Sequence, residues 1–540
     1  MTIYAKHVTA PTQAEKAHKA QKKNNAGGYT FAVDRWKQLD RFLVLGAEGG
    51  TYYVTERALA RENAGVVEAC LNEDALRAVA RIAEVSKSGR APKNDAAIFA
   101  LAMAMTGSPE ARAAARGALP VVCRTGTHLF TFAANVDAMR GWGRGLRRAV
   151  ASWYTSKEPA ELAYQVLKYQ QRNGWSHRDL LRLSHARSPK RNAVLRWASS
   201  HDFADREVGR DAARRKYGAV APEELPPILA AYDALRGNEK ASETEWCAAI
   251  AEHGLTHEMV PSELKNSPAI WSALLERMPI GAMIRNLGKM SAVGVLNQGS
   301  DGAGVALRAL ADAEKVRRGR VHPIAVLSAA RVYAQGHGEK GSLSWTPNPR
   351  IIDALNDAFY TAFEGIQPTG KRILLALDVS GSMTSSPGGP AGLSARDVSS
   401  AMAMATARTE QEWSVMAFSH GFVPINISPK QRLDDIVSAT QRLPFDRTDC
   451  AMPMVWAGAH KASFDAFVVY TDNETWSGVI HPHLALQRYR QQTGINAKLV
   501  VCATAATPFT IANPEDPGML DVVGFSSDAP AVLADFIREE

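Results

Sequence analysis

The sequence predicts a chain of two architectures: an array of antiparallel α-helical hairpins, then a doubly wound, mostly parallel α/β sheet. Three features point to this. Up to about residue 365 the chain is rich in Ala, Leu and Arg, with apolar residues at helical spacing and short breakers between segments. From residue 366 buried-strand runs alternate with helical ones, the pattern of βαβ units. The change of character is marked by Gly, Ser and Pro, in Gly336 to Arg350 and again in Gln367-Pro368-Thr369-Gly370.

Residues 1–27 are polar and basic and read as a mobile arm, without the apolar core of a signal peptide. Residues 28–365 form the helical unit. Glu73 to Val85, Asn94 to Met105 and Pro159 to Arg172 have helical spacing, divided by Ser86-Lys87-Ser88-Gly89, Thr106-Gly107-Ser108-Pro109 and Asn173-Gly174. Short connections make successive helices antiparallel neighbours. No fixed period is visible, so any repeats are degenerate. In residues 366–540 the strands are Ile373–Leu377, Trp413–Phe418, Ala466–Tyr470 and Lys498–Cys502. The helices between and after them are Arg396–Thr409, Leu433–Arg442, Met452–His460 and Ala485–Thr493.

Composition narrows the function class. A chain of 540 residues can bury two or more full cores, and 46% hydrophobic with 22% charged residues is ordinary for a soluble globular protein. The five cysteines, Cys70, Cys123, Cys247, Cys450 and Cys502, are far apart and form no Cys-x-x-Cys pair. That argues against zinc ribbons and disulfide frameworks and suits a reducing cytoplasm. No uncharged apolar run approaches the roughly 20 residues needed to span a bilayer, so no membrane partner is expected.

Net charge is +8 but uneven. Residues 371–540 carry 13 basic and 18 acidic residues, net −5, which leaves +13 on the first 370. Arg140 to Lys216 alone holds 18 basic and 7 acidic residues, net +11. Such a window points to a polyanionic partner. Within it, Pro159 to Arg172 reads as a helix with Lys168 and Arg172 four apart on one face and Asn173-Gly174 as its stop. Ser176 caps a second helix, with Asp179 completing a capping-box pattern. On that helix Arg178, Arg182 and His185 share a narrow arc, while Leu180 and Leu183 point into the core. Gly141 to Arg148 adds Arg144, Arg147 and Arg148. Guanidinium groups grip phosphates in bidentate fashion and binding releases counterions. His185 alone reads as a packing or capping residue. Trp142, Trp153 and Trp175 read as core residues sooner than as stacking platforms. No base-specific code is visible.

The acidic half carries a different chemistry. The Ile373 to Leu377 strand ends in Asp378, Ser380 and Ser382; Arg447-Thr448-Asp449 follows about seventy residues later; the Phe467 to Tyr470 strand then ends in Thr471-Asp472-Asn473. Loops at the carboxyl ends of parallel strands are where α/β sheets place their sites. Carboxylates and hydroxyls converging there make a hard oxygen site suited to a divalent cation, Mg²⁺ above all.

These residues resemble the Ro autoantigen family, the TROVE-module RNA-binding proteins, in its bacterial form. The stretch from Lys168 to His185, KYQQRNGWSHRDLLRLSH, carries the likeness most specifically. Arg41-Phe42-Leu43 with Gly49-Gly50-Thr51-Tyr52-Tyr53, Thr127-His128-Leu129-Phe130-Thr131-Phe132, Arg285-Asn286-Leu287-Gly288-Lys289-Met290 and Val321-His322-Pro323 extend it. So do Asp378-Val379-Ser380-Gly381-Ser382-Met383, Thr448-Asp449-Cys450 and Thr471-Asp472-Asn473-Glu474-Thr475. The resemblance implies a ring of HEAT-like helical repeats closed by a von Willebrand factor A-like domain. It implies a positively charged hole for single-stranded 3′ ends of misfolded or unprocessed RNA. It also implies an outer surface for small noncoding Y RNA at Lys168, Arg172 and His185. A metal-ion-dependent adhesion site is implied at Asp378, Ser380, Ser382, Thr448 and Asp472. Exoribonucleases such as polynucleotide phosphorylase and a role under stress are the implied partners and setting. One departure stands out: Asp446-Arg447 precede Thr448 where the family usually has Gly-Gly, and Arg447 would bring positive charge near the cation.

The expected function is thus that of a monomeric RNA-binding scaffold in the cytoplasm without chemistry of its own. Two other classes compete. A metal-dependent nuclease would use Asp378 and Asp472, with His481 and His483 close by; hydroxyl-rich sites of this kind offer it no positioned base. An adhesion-like module would capture an acidic group of a protein partner on the cation.

Overall fold

The protein is described from a computed structural model. It covers residues 11–539 except 48–53, 201–219, 239, 320, 339–340, 362, 364–365, 385–392, 420, 429–430, 444–446 and 526–527. The Gly49 to Tyr53 part of the family motif, Asp446 and the end of the basic window lie outside the described residues.

Helical hairpins fill the first two-thirds of the chain, and local chemistry sets their ends. Asp74 ends the helix Glu56–Glu73 and begins Ala75–Ser88, its carboxylate accepting from the Arg77 N–H at 2.9 Å. The second of these stops at Gly89, in the left-handed region at φ 76°. Ser108 and Thr125 cap Pro109–Val122 and Gly126–Arg140 in the same way. Ala75–Ser88 packs against Pro109–Val122, and Asp95–Thr106 against Gly126–Arg140. At the far end Pro323–Ala334 packs against Pro349–Thr361, so the helical unit runs past the Gly- and Pro-rich stretch at 336–350.

The C-terminal sheet has six strands in the order Met519–Val523, Lys498–Ala503, Ala466–Thr471, Ile373–Asp378, Trp413–Phe418, Phe422–Pro424. All neighbours are parallel except the last pair, where Pro424 sits harmlessly on an edge. The four expected strands are all present, and the two edge strands were not anticipated. Ile373–Asp378 is buried along its whole length, as its continuous apolar run requires. Leu374 and Ala376 face an outer core with Met454, Leu486 and Tyr489. Ile373, Leu375 and Leu377 face a core continuous with that of the helices.

The helical array closes on itself and on the sheet. His322 donates through Nε2 to the Arg90 carbonyl at 3.2 Å, because its Nδ1 already accepts from the Ile324 N–H at 3.2 Å. Arg90 in turn pairs with Asp528 at 3.1 Å. At the other end, Arg41 of the helix Arg35–Leu45 is buried. It donates to the carbonyls of Thr507 at 2.6 Å and Phe509 at 2.7 Å and pairs with Asp521 at 2.5 Å. Arg331 reaches Asp397 at 2.7 Å from the last helical hairpin. The result is a ring of helical repeats joined by an α/β domain, and among the described residues no helix is long and apolar enough to cross a membrane.

Two expectations need correction. The arm is not free over its described part: residues 11–28 lie on the α/β domain, and Tyr29–Ala32 pairs with both Gln21–Lys23 and Phe509–Thr510. Its polar side chains find partners there; Gln13 and Gln21 are fully buried. The helix from Pro159 ends at Lys168, four residues earlier than expected. Gln171–Arg172 and Trp175–Ser176 form a two-stranded hairpin around Asn173 at φ 52° and Gly174 at φ 77°. Asn-Gly is a favoured two-residue hairpin turn because both positions accept positive φ, and here that outcompetes the helix stop. Arg172 therefore projects from a hairpin and shares no helix face with Lys168.

A buried histidine pins this hairpin to the ring. His177 contacts the Tyr154 hydroxyl at 2.7 Å and the Phe130 ring edge-on at 4.8 Å between centroids. A β-carbon on Gly126 would lie 2.9 Å from Tyr169 Cβ and 3.0 Å from His177 Nε2, so only glycine fits beneath it. Burial pushes the His177 imidazole down from 6.5 to about 3. His128 and His322 are pushed to about 4 and His483 to about 3 for the same first reason.

Two outcomes follow from this packing. Arg41→Ala leaves Asp521 buried without its cation and is expected to cost about 3–5 kcal/mol, read as a lowered urea midpoint. Each buried neutral imidazole binds fewer protons folded than unfolded between its depressed value and about 6.5. Its contribution is therefore full above about 6.5 and is lost as pH falls. The urea midpoint should drop on acidification from about pH 7 to about pH 4.5, and drop less in His177→Gln.

Candidate functional site

The described part of the basic window spans consecutive elements of the ring. Lys168, the last residue of its helix, is half-buried; its Nζ donates to the Tyr164 hydroxyl at 3.0 Å and lies 5.3 and 5.5 Å from the Tyr164 and Tyr169 ring centres. Arg172 is exposed on the hairpin, whose Asn173 amide donates to Thr131 Oγ1 at 3.1 Å. Ser176 and Asp179 form the expected capping box and start His177–Ser184. His177, Leu180, Leu181 and Ser184 face inward, so Leu181 takes the core place expected of Leu183, which is 38% exposed. Arg182 is exposed and Arg178 half-buried. His185 lies just beyond the helix, not on it. It is the cap residue, left-handed at φ 52°, with its side chain exposed and its N–H donating to the Leu181 carbonyl at 3.0 Å.

The tryptophans divide. Trp153 is core, its indole N–H donating to the Cys123 carbonyl at 2.5 Å. Trp142 and Trp175 are half-buried and stack on each other, 5.4 Å between centroids at 27°. That stack ties the hairpin to the loop before Arg144–Ser156, so exposed Arg144, Arg147 and Arg148 stand on the element next to Arg172.

Two basic concavities have linings that the sequence did not single out. A groove of about 1150 Å³ lies between His177–Ser184 and Asn192–Ser200, lined by Trp175, Arg182, His185, Arg187 and Arg196. A cavity of about 1100 Å³ opens between early and late ring helices. Lys87, Lys93, Arg124, Arg285 and Lys289 line it, with Asp95 the one acidic residue among the described lining. These cations are scattered singly through some 200 positions of sequence, and only ring closure gathers them.

The metal-type loops meet at the carboxyl ends of the two central strands. Leu377 stands opposite Tyr470, so Asp378 and Asp472 leave the sheet side by side. Asp378 is fully buried; its Oδ1 accepts from the Ser380 N–H at 2.9 Å and its Oδ2 from the Thr471 hydroxyl at 2.7 Å. The Ser380 and Ser382 hydroxyls are 3.0 Å apart. Thr448 is buried, and its carbonyl accepts from the N–H groups of Trp476 at 3.2 Å and Ser477 at 3.1 Å, which brings the second loop against the third. Beneath the first loop, buried Arg396 donates to the carbonyls of Val379 at 2.5 Å and Ser380 at 3.2 Å.

Asp472 shows what this pocket lacks. Its Oδ1 accepts from the Glu474 N–H at 3.1 Å, whereas Oδ2 is buried without a hydrogen-bond partner among the described residues. Burial, then the charges of Asp378 and Glu474, push its carboxyl up to about 8, against the pull of the Ser382 hydroxyl. A buried, orphaned carboxylate oxygen among hydroxyls fits a hard cation. Among the described residues no group of three His, Cys, Asp or Glu could hold a metal, so any such site is hydroxyl-rich. Exposed Arg447 lies 5.8 Å from the centre of the Trp476 ring, a contact that gives its charge a place other than the pocket.

The two histidines near the third loop serve packing. His481 meets the Gln21 amide at 3.0 Å and, through Nε2, the Glu15 carbonyl at 2.9 Å; buried His483 packs edge-on against Phe31 at 5.0 Å.

Comparison with known proteins bears on the whole chain. Residues 22–332 match the TROVE domain model and residues 372–537 the Ro60 vWA domain model. The chain is 38% identical over 535 residues to a protein of Deinococcus radiodurans named RNA-binding protein RO60, covering 98% of this chain and 97% of that one. A Caenorhabditis elegans protein of the same name is 37% identical over 595 residues, covering 98% and 91%. The crystal structure of the Deinococcus radiodurans RO (RSR) protein superposes with a TM-score of 0.66 at 37% identity, covering 94% of this chain and 99% of that one. With both domain models matched in order around one closed ring, this chain belongs to the Ro60 family.

Proposed function

We propose that this protein is an RNA-holding scaffold of a Ro-type ribonucleoprotein, with two RNA surfaces and no catalysis of its own. The observation that carries this is the run of cations on consecutive ring elements, Lys168 at a helix end, Arg172 on the hairpin, and Arg182 and His185 lining one groove. A folded small RNA of the Y type is the proposed ligand there, because exposed guanidinium and ammonium groups contact phosphates without reading bases. The half-buried Trp142–Trp175 stack is available to an unpaired base at the edge. The basic cavity of the ring is proposed to take single-stranded 3′ ends of misfolded or unprocessed RNA. The scaffold would then present such RNA, under stress, to an exoribonuclease such as polynucleotide phosphorylase. A single chain closing its own ring is consistent with a monomer in the cytoplasm.

The metal site belongs to the same proposal. Asp378, Ser380, Ser382, Thr448 and Asp472 would hold a divalent cation, Mg²⁺ by the hardness of the donors. When bound, such an ion offers an open coordination position to a carboxylate of a protein partner. Burial raises the carboxyls of both Asp378 and Asp472, and both must be ionised for this. A nuclease reading has no support in the pocket, since His481 and His483 are held by the N-terminal segment.

Sequencing the RNA that co-purifies with the protein tests the first claim; absence of any small structured RNA would overturn it. The triple variant Lys168→Ala, Arg172→Ala, His185→Ala should weaken binding of a Y-type RNA about 1000-fold or more, at about 1.5–3 kcal/mol per charge-assisted contact. Binding of a short single strand should stay within a few-fold; equal loss of both would merge the two sites into one. For the metal, calorimetry in buffers of different ionisation heat should show proton release on Mg²⁺ binding below about pH 8 that fades well above it. Mg²⁺ affinity should rise with pH up to about 8. Asp378→Ala should abolish the heat.

A further inference from the structure

The polar segment ahead of the first ring helix does more than cover the α/β domain. Gln13 is fully buried and spends its whole side-chain amide between two of the metal-type loops. Its Nε2 donates to Asp449 Oδ1 of the second loop at 2.8 Å and to the Ile480 carbonyl at 2.8 Å. Its Oε1 accepts from the Thr475 hydroxyl of the third loop. The backbone of Gln13 is fixed as well, its N–H donating to the Gly478 carbonyl at 2.9 Å and its carbonyl accepting from the Tyr29 N–H at 2.8 Å. Gly478 has no side chain where one would collide with both Gln13 Nε2 and Asp449 Oδ1, so the amide sits in a fitted slot.

Farther along the same segment, Asn25 donates to Glu474 Oε1 at 2.7 Å and the Ala26 N–H to Glu474 Oε2 at 3.0 Å. Glu474 is fully buried, and its own N–H holds Asp472 Oδ1 at 3.1 Å. Asn24 donates to the Thr475 carbonyl at 2.9 Å. Residues 11–28 thus grip two of the three metal-type loops, the one that carries Thr448 and the one that carries Asp472. The second loop enters Thr448 through Arg447, without a glycine to let it settle alone.

We propose that this N-terminal strap is a positioning element of the metal site, with Gln13 and Asn25 as its positioning residues, so that cation binding and strap docking stabilise each other. The inference rests on the metal reading above. Outer groups that orient metal ligands commonly change affinity by 10- to 100-fold, and linkage makes the effect reciprocal.

The test uses the full chain. Mg²⁺ titration calorimetry on wild type, Gln13→Ala and Asn25→Ala is paired with hydrogen exchange of residues 11–28 with and without Mg²⁺. The expected result is a loss of affinity of roughly 10-fold or more in each variant. Exchange of the strap should slow on adding Mg²⁺ to wild type, and not in Asp378→Ala. That Mg²⁺-dependent protection is a readout a merely structural contact would not move. Wild-type affinity in a folded Asn25→Ala or Gln13→Ala protein, or strap exchange indifferent to Mg²⁺, would overturn the inference and leave the metal site standing. If Gln13→Ala does not fold, Asn25→Ala and the wild-type exchange decide alone. Absence of any Mg²⁺ heat in wild type would overturn the metal reading, and the inference with it.

Discussion

A helical array has two free ends, and this molecule depends on how they are joined. The join is the buried guanidinium of Arg41, held by Asp521 and the carbonyls of Thr507 and Phe509 at the far edge of the sheet. A charge so placed is stable only while all its partners are present. The Arg90–Asp528 and Arg331–Asp397 pairs act at the same boundary from other helices. Because the core on the sheet's inner face continues into the helices, the polar join is backed by apolar contact over the whole interface. The ring cavity exists only because the circle is shut. Its lysines and arginines come from helices that meet across it, and an open arc would spread them apart.

Charge is sorted to match. Cations project from the ring at a hairpin, a helix end and a groove, where water surrounds them and phosphate can displace that water. Acids of the α/β domain are drawn inward to the strand ends, where Asp378, Asp472 and Glu474 share one buried region. Three carboxylates that close cannot all ionise cheaply without a cation. The two halves therefore differ in the chemistry they present.

Much of this was legible in the sequence because strand burial and helix spacing leave strong periodic traces. Ile373–Asp378 and Ala466–Thr471 are buried on both faces, so their runs are unbroken and unmistakable. The edge strands Phe422–Pro424 and Met519–Val523 are half-exposed and carry no such trace. Arg172 and His185 were found by motif, but their backbone settings were not. The helix ends at Lys168, and Asn173-Gly174 makes a hairpin turn where a helix stop was expected. Both outcomes obey local rules, and tertiary packing on His177 chose between them. The N-terminal segment misled most, since a run of Gln, Lys and Asn reads as solvated. Only the slots waiting on the other domain, more than 400 residues away in sequence, show why those amides are buried.

That separation has a consequence for biogenesis. The strap and the helix that carries Arg41 are synthesised long before the loops and edge strand that receive them. Pairings this distant along the chain are slow to form, so the strap stays undocked until the loops about 440 residues on have been made. Circle and oxygen pocket are therefore completed late, once the sheet that receives both ends has formed.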